Sequence, residues 1–119
     1  TDMLAEEGPF DIVLVDAPCS GSGAWRRSPE GKWRLDEAGL KELCGIQAGI
    51  LDTTSEMLTD QGVLAYATCS VLHDENGAQM GRFLQQNADW RLAVQHQWTM
   101  QQGTDGFYAA HLTRDATVI

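Results

Sequence analysis

The spacing of apolar and polar positions along the chain changes several times, and each change marks an element. Residues 11–16 hold an unbroken run, Ile12-Val13-Leu14-Val15, rich in β-branched side chains. Such a run predicts a fully buried strand of the kind found in parallel sheets covered on both faces. Pro18, Gly21, Gly23, Pro29 and Gly31 then punctuate a loop over residues 17–35. From Asp36 a helical period begins. Leu40, Leu43, Gln47, Ile50, Leu51, Thr54, Met57 and Leu58 share a face, with Asp36 as N-cap and Gly62 as the stop. Gly39, Gly45 and Gly49 inside this pattern each cost about 1 kcal/mol relative to Ala, so the helix is expected to depend on packing.

Val63-Leu64-Ala65-Tyr66-Ala67-Thr68 repeats the buried-strand pattern and runs into Cys69. Asp74 is expected to cap a second helix whose apolar positions are Ala78, Met80, Phe83 and Leu84. Trp90, Leu92 and Val94 alternate with Arg91, Ala93 and Gln95, which predicts a half-buried strand, and "GFYAAHL" (106–112) predicts a last one. Residues 1–10 carry acids and a Gly-Pro with little periodicity and are expected to be a lead-in. The order β-α-β-α-β-β predicts an α/β fold with a mainly parallel sheet and a closing antiparallel strand pair.

Composition narrows the class. With 119 residues, 43% hydrophobic and 21% charged, the chain has the make-up of one small globular domain. No apolar run is long enough to cross a bilayer and "TDMLAEEG" has no signal pattern, so a cytoplasmic location without membrane contact is expected. Cysteines at 19, 44 and 69 make an odd count with no Cys-x-x-Cys pair, which points away from a disulfide framework and from a zinc site. The net charge of −9 taken alone argues against tight nucleic-acid binding. The distribution softens that: Arg26, Arg27, Lys32 and Arg34, half of the eight basic residues, sit in one loop between Trp25 and Trp33 or beside them.

Two thiols end two strands. In open parallel sheets, ligands bind beyond the carboxyl ends of the strands, and strands joined by one helical crossover are usually neighbours. "DAPCSG" follows the first strand and "ATCSV" the second, so Cys19 and Cys69 should open into one cleft, while Cys44 falls inside the helical pattern and is read as packing. A free cysteine on its own is as often a small buried hydrophobe as a nucleophile. Two at matching strand ends, one of them three residues after Asp16, favour chemistry.

"DAPCSGSG" followed by Trp25-Arg26-Arg27, then "YATCSV" and "GTDGFYAAHL", resembles the Sun/RsmB family of RNA cytosine-5 methyltransferases over about residues 11–113. The resemblance implies a Rossmann-like fold, S-adenosyl-L-methionine as methyl donor and RNA, ribosomal RNA above all, as partner. It also implies roles: Cys69 as the nucleophile that adds to the base, Cys19 as the thiol of product release, and Asp16 as a contact of cofactor and base. Under it Arg26, Arg27, Lys32 and Arg34 become phosphate contacts, and the segment Gly103–Gly106 a loop near the same cleft. His73, His96 and His111 receive no role.

The glycine-rich cofactor loop, the ribose-binding acid and the catalytic-site lysine of that family have no counterpart here. Residues 1–119 are therefore expected to be the C-terminal part of a catalytic domain whose cofactor-binding N-terminal half is absent, inactive alone, with the bare edge of strand 11–16 open to self-association. Two other classes stay open at this point. One is a non-catalytic interaction module that keeps the fold. The other is a redox or metal protein built on Cys19 and Cys69.

Overall fold

The computed structural model describes residues 9–24, 36–99 and 105–114. The apolar run near the start forms β1 (Phe10–Asp16), and the chain then turns through a single 3-10 turn at Ser22–Ala24. Asp36 stands in extended backbone and its Oδ1 accepts from the Gly39 amide at 2.6 Å, which starts α1 (Glu37–Ser55). There follow β2 (Leu58–Thr68), a 3-10 turn at His73–Glu75, α2 (Gly77–Gln86), β3 (Arg91–Trp98) and β4 (Phe107–Thr113).

The four strands form one sheet in the order β1-β2-β4-β3. β1 runs parallel to β2, with Leu14 opposite Ala65 and Asp16 opposite Ala67. β4 runs antiparallel to both of its neighbours, so β3 points the same way as β1 and β2. The expected α/β architecture, mainly parallel with an antiparallel closing pair, is what forms. Leu51 of α1 and Met80 and Phe83 of α2 cover one face of the sheet, against Val15, Leu64, Tyr66, Ala110 and Leu112. Phe83 meets Trp90 edge to face, ring centroids 5.4 Å apart.

Several sequence expectations are corrected. The helix stops at Ser55 rather than near Gly62. Thr54 Oγ1 donates back to the Ile50 carbonyl at 2.7 Å and Ser55 Oγ to the Asp52 carbonyl at 2.8 Å, a competition that short hydroxyl side chains bring to a helix end. The Phe10 amide then bonds the Met57 carbonyl at 2.7 Å and draws the chain onto β1. Met57 and Leu58 are buried as their spacing required, but through strand geometry, and Gly62 lies inside β2. Asp74 caps nothing: α2 begins at Gly77, and Asp74 is an exposed member of the preceding 3-10 turn. Ala78 is exposed, and a bulge between Leu92 and Val94 turns Val94 outward.

The largest departure concerns β1. Val15 is buried, yet Ile12 is 71% and Leu14 69% exposed, so the strand is covered on one face and not on both. Their partners Val63 and Ala65, with Ala67, Ala109 and His111 beyond, continue that face across the sheet. Among the described residues neither helix lies on it, and β2 is the one strand that pairs with β1. The edge of β1 away from β2, where self-association is expected, carries no strand among the described residues, and residues 1–8 of the expected lead-in lie outside them.

These burials predict unequal responses to truncation. Phe83→Ala should cost about 3–5 kcal/mol and Leu14→Ser less than about 0.5 kcal/mol, read by chemical denaturation with tryptophan fluorescence. Comparable losses for the two would mean that the open face is covered in solution.

Candidate active site

The parallel ladder runs one residue past β1. Asp16 ends the strand with its side chain exposed, and the Ala17 amide donates to the Ala67 carbonyl at 2.9 Å. Pro18 cannot donate to the ladder, so pairing stops there. Gly21 then takes a φ of +73°, a left-handed conformation that costs glycine little. Gly23 serves another purpose. Its amide donates to the Cys69 carbonyl at 2.9 Å and its carbonyl accepts from the Gly106 amide at 2.8 Å. A Cβ on Gly23 would lie inside contact distance of the Gly106 carbonyl oxygen. Three loops, after β1, after β2 and before β4, are joined at that one residue.

Both expected thiols reach this junction. Cys69 is the first residue beyond β2 and is exposed; Cys19 is half-buried. Burial pushes the Cys19 thiol above its ordinary value of 9.0; the Gly21 and Cys69 backbones pull it down, and the Glu75 carboxylate and the Cys69 thiol push it up further. Cys44, as expected, stays on the helix: its Sγ faces the Asp74 carbonyl at 3.5 Å, and burial raises its thiol too.

Beneath the thiols lies a set of buried polar side chains that sequence reading missed. Glu75 is fully buried, and its carboxylate accepts from the Ser20 amide and the Ser20 hydroxyl, each at 2.7 Å, and from the Ser70 hydroxyl. Gln47 donates to the same carboxylate at 3.3 Å and to the Pro18 carbonyl at 2.9 Å, and Gln79 holds the Gln47 side-chain oxygen at 3.2 Å. A parallel set secures the second thiol's loop. Thr68 Oγ1 donates to Asn76 Oδ1 at 2.6 Å, and the Asn76 and Gln97 amide nitrogens donate to the Ser70 carbonyl at 2.9 and 3.0 Å. Two signals were available: Gln47 occupies an apolar position of the helical period, and Glu75 follows the second thiol loop within six residues.

Arg26, Arg27, Lys32 and Arg34, with Trp25 and Trp33, lie outside the described residues, as do Gly103 and Thr104 of the late loop; Gly106 reaches the site as expected. His73, His96 and His111 are exposed. Among the described residues no cluster of His, Cys, Asp or Glu suits a metal, and no helix is long and apolar enough to cross a membrane. For S-adenosyl-L-methionine the fit is to one wall of a site. Asp16 and the Ala17–Ser20 loop stand at the carboxyl end of β1, where such sheets bind ligands, but the described residues supply no enclosing wall on the unpaired side of that strand.

A reversed strand between two that point the other way, with the polar loops at one end of the sheet, defines the C-terminal side of a Rossmann-like methyltransferase sheet. Two solved structures superpose on it. PH0851 does so with a TM-score of 0.81 at 30% identity, over 87% of this chain and 26% of that one. A methyltransferase homologue from Pyrococcus horikoshii gives 0.73 at 25% identity, over 90% and 40%. The chain belongs to the 16S rRNA methyltransferase RsmB/F family, whose model matches residues 1–113. Among curated relatives, the ribosomal RNA small subunit methyltransferase B of Erwinia tasmaniensis is 42% identical over 113 residues, which is 88% of this chain and 26% of the relative. The chain thus spans about a quarter of the length of the curated relatives it matches.

The buried ionisable groups set an alkaline limit. Burial raises both tyrosines, Tyr108 to about 12 and Tyr66 beyond that, Glu75 adding to Tyr66, and burial raises Cys19 in the same direction. The unfolded chain releases these protons first, at pH values where the folded chain still holds them. Stability is therefore complete below the ordinary thiol value of 9.0 and falls as pH rises through the raised values. Spectrophotometric titration at 295 nm should show neither of the two tyrosines ionising at pH 10 while the chain stays folded. A normal tyrosine titration in folded protein would contradict the packing around Tyr66 and Tyr108.

Proposed function

We propose that this chain is the base-handling part of an RNA cytosine-5 methyltransferase, with ribosomal RNA as substrate and the cytoplasm as its place of action. Support comes chiefly from one observation: two thiols at the ends of paired parallel strands, joined through the bond from the Gly23 amide to the Cys69 carbonyl. Family membership supports the methyl transfer and the RNA.

Carbon 5 of cytosine is a weak nucleophile, and covalent addition at carbon 6 makes it a strong one. Cys69 is the attacking group in this reading. It is the exposed thiol of the pair, and as thiolate it forms a bond to carbon 6. S-adenosyl-L-methionine, when bound, supplies an electrophilic methyl group that carbon 5 takes up. Cys19 serves release: as thiolate it takes the proton from carbon 5, the electrons of that bond re-form the double bond to carbon 6, and the bond to Cys69 Sγ breaks so that Cys69 leaves as thiolate. Burial raises the Cys19 thiol, which makes its thiolate the stronger base once formed. In this reading Asp16, exposed at the strand end, hydrogen-bonds the ring nitrogen or amino group and offsets charge that develops on addition. Arg26, Arg27, Lys32 and Arg34 are the phosphate contacts of this reading.

In the intact protein, incubated with cellular RNA and S-adenosyl-L-methionine, Cys19→Ala should accumulate an RNA adduct that survives denaturation, and Cys19→Ala/Cys69→Ala should show none. Absence of the adduct in both would move the reading to the interaction module. Calorimetry on the 119-residue chain alone should show no tight cofactor binding, because one wall of a site does not enclose a ligand. Micromolar binding by this chain would show that its own residues complete the site.

A further inference from the structure

Glu75 is a carboxylate with no exposed surface, and its side-chain partners are the neutral donors Ser20, Ser70 and Gln47. Removing an ionised carboxylate from water is costly unless the site satisfies it, and a segment that only needed filling would be served by an apolar side chain. The places the donors come from are therefore informative. Ser20 follows Cys19 directly and Ser70 follows Cys69 directly. One carboxylate oxygen, Oε2, takes both hydroxyls, and Oε1 takes the Ser20 amide and the Gln47 side chain, which itself holds Pro18. The Glu75 carbonyl accepts from the Tyr66 hydroxyl at 2.8 Å, which fixes the residue to β2.

We infer that Glu75 is a positioning residue that holds the Cys19 loop and the Cys69 loop at the mutual placement a two-thiol reaction on one base requires. This rests on the reading that both thiols act in turn on the same ring. The backbone ladder ends at Ala17 and resumes only at the Gly23 bond, so residues 18–22, Cys19 among them, have no main-chain bond across to the second loop. Side chains span that gap. Glu75 ties Ser20 to Ser70; the Ser22 hydroxyl, 3.0 Å from the Ser70 hydroxyl and accepting from the Val71 amide at 2.9 Å, adds a second link, and the Cys19 thiol itself bonds the Cys69 backbone. Every contact of the carboxylate is with a donor, so a carboxamide nitrogen in place of Oε2 would force the Ser20 and Ser70 hydroxyls, which already accept from the Ser22 and Leu72 amides, to accept again and leave their own hydrogens without the carboxylate. Glu75→Gln keeps the volume and loosens the tie.

The test has two parts, both in the intact protein. The first needs no RNA. Dibromobimane joins two nearby thiols, and the Cys19–Cys69 bridged peptide is quantified by mass spectrometry against single alkylation of Cys69 by iodoacetamide. Glu75→Gln should lower bridging about tenfold or more and leave single alkylation of exposed Cys69 unchanged. The second part times the denaturation-resistant RNA adduct. Glu75→Gln should slow its release about tenfold or more relative to its formation, so that adduct accumulates in a protein with both thiols present. A merely structural role would lower formation and release by one common factor, through the folded fraction.

An unchanged bridging rate in Glu75→Gln, failure of the parent protein to bridge, or equal loss of adduct formation and release would each overturn the inference. If Glu75→Gln does not unfold cooperatively, Ser70→Ala replaces it; that variant removes one donor and should lower bridging to an intermediate level, and no change would overturn the inference as well. If Cys19→Ala gives no adduct, the methyl-transfer reading falls, while the bridging arm still decides the placement of the two loops.

Discussion

The parallel pairing of β1 with β2 is the constraint on which everything else in the chain depends. Parallel strands cannot be joined by a tight turn, so the connection must leave the sheet and return, and α1 makes that return. Once the register Val15 to Tyr66 and Asp16 to Ala67 is set, both strands finish at the same level. The loops that follow emerge side by side whatever their own sequences prefer. A shift of β1 by one residue would send Val15 to the open face, away from Tyr66, and put the thiol loops out of step with each other. The buried pair of aromatic rings, Tyr66 against Tyr108, and the helical cover of Leu51 and Phe83 make such a shift expensive.

Above that register the packing is polar, not apolar. Between the strand ends and α1 and α2 lie Gln47, Ser70, Glu75, Asn76 and Gln79, all buried, each meeting hydrogen-bonding groups of another segment. Apolar side chains would fill this space at lower desolvation cost but would tolerate several loop arrangements. Directional bonds accept few. The arrangement combines an apolar layer that sets stability near the middle of the sheet with a polar layer that sets shape at its carboxyl end.

Much of this was legible in the sequence because the signals were local. The two strand cores, the Asp36 cap, the element order and the meeting of Cys19 with Cys69 follow from periodicity, capping chemistry and the rule for parallel sheets. What escaped was decided by groups distant in sequence. Leu58 has the spacing of a helix, but the Phe10 amide waiting for the Met57 carbonyl made it a strand residue. Asp74 looked like a cap because acids begin helices, yet the neighbouring Glu75 was wanted inward by Ser20, 55 residues away, and the turn was shaped around that need. Ile12 and Leu14 read as buried because composition records the environment a strand was made for, and the cover for that face is not among the described elements.

The position of β4 has a consequence for the order in which the molecule can come into being. β3 is made before β4 but touches the rest of the sheet only through it, since β4 sits between β2 and β3. Until residues 107–113 have left the ribosome, β3 has no neighbour, β2 has an open flank, and Gly106 is not there to seat Gly23. A growing chain can preform α1 and α2 and pair β1 with β2, but the sheet, and with it the junction of the three loops, closes in one late event.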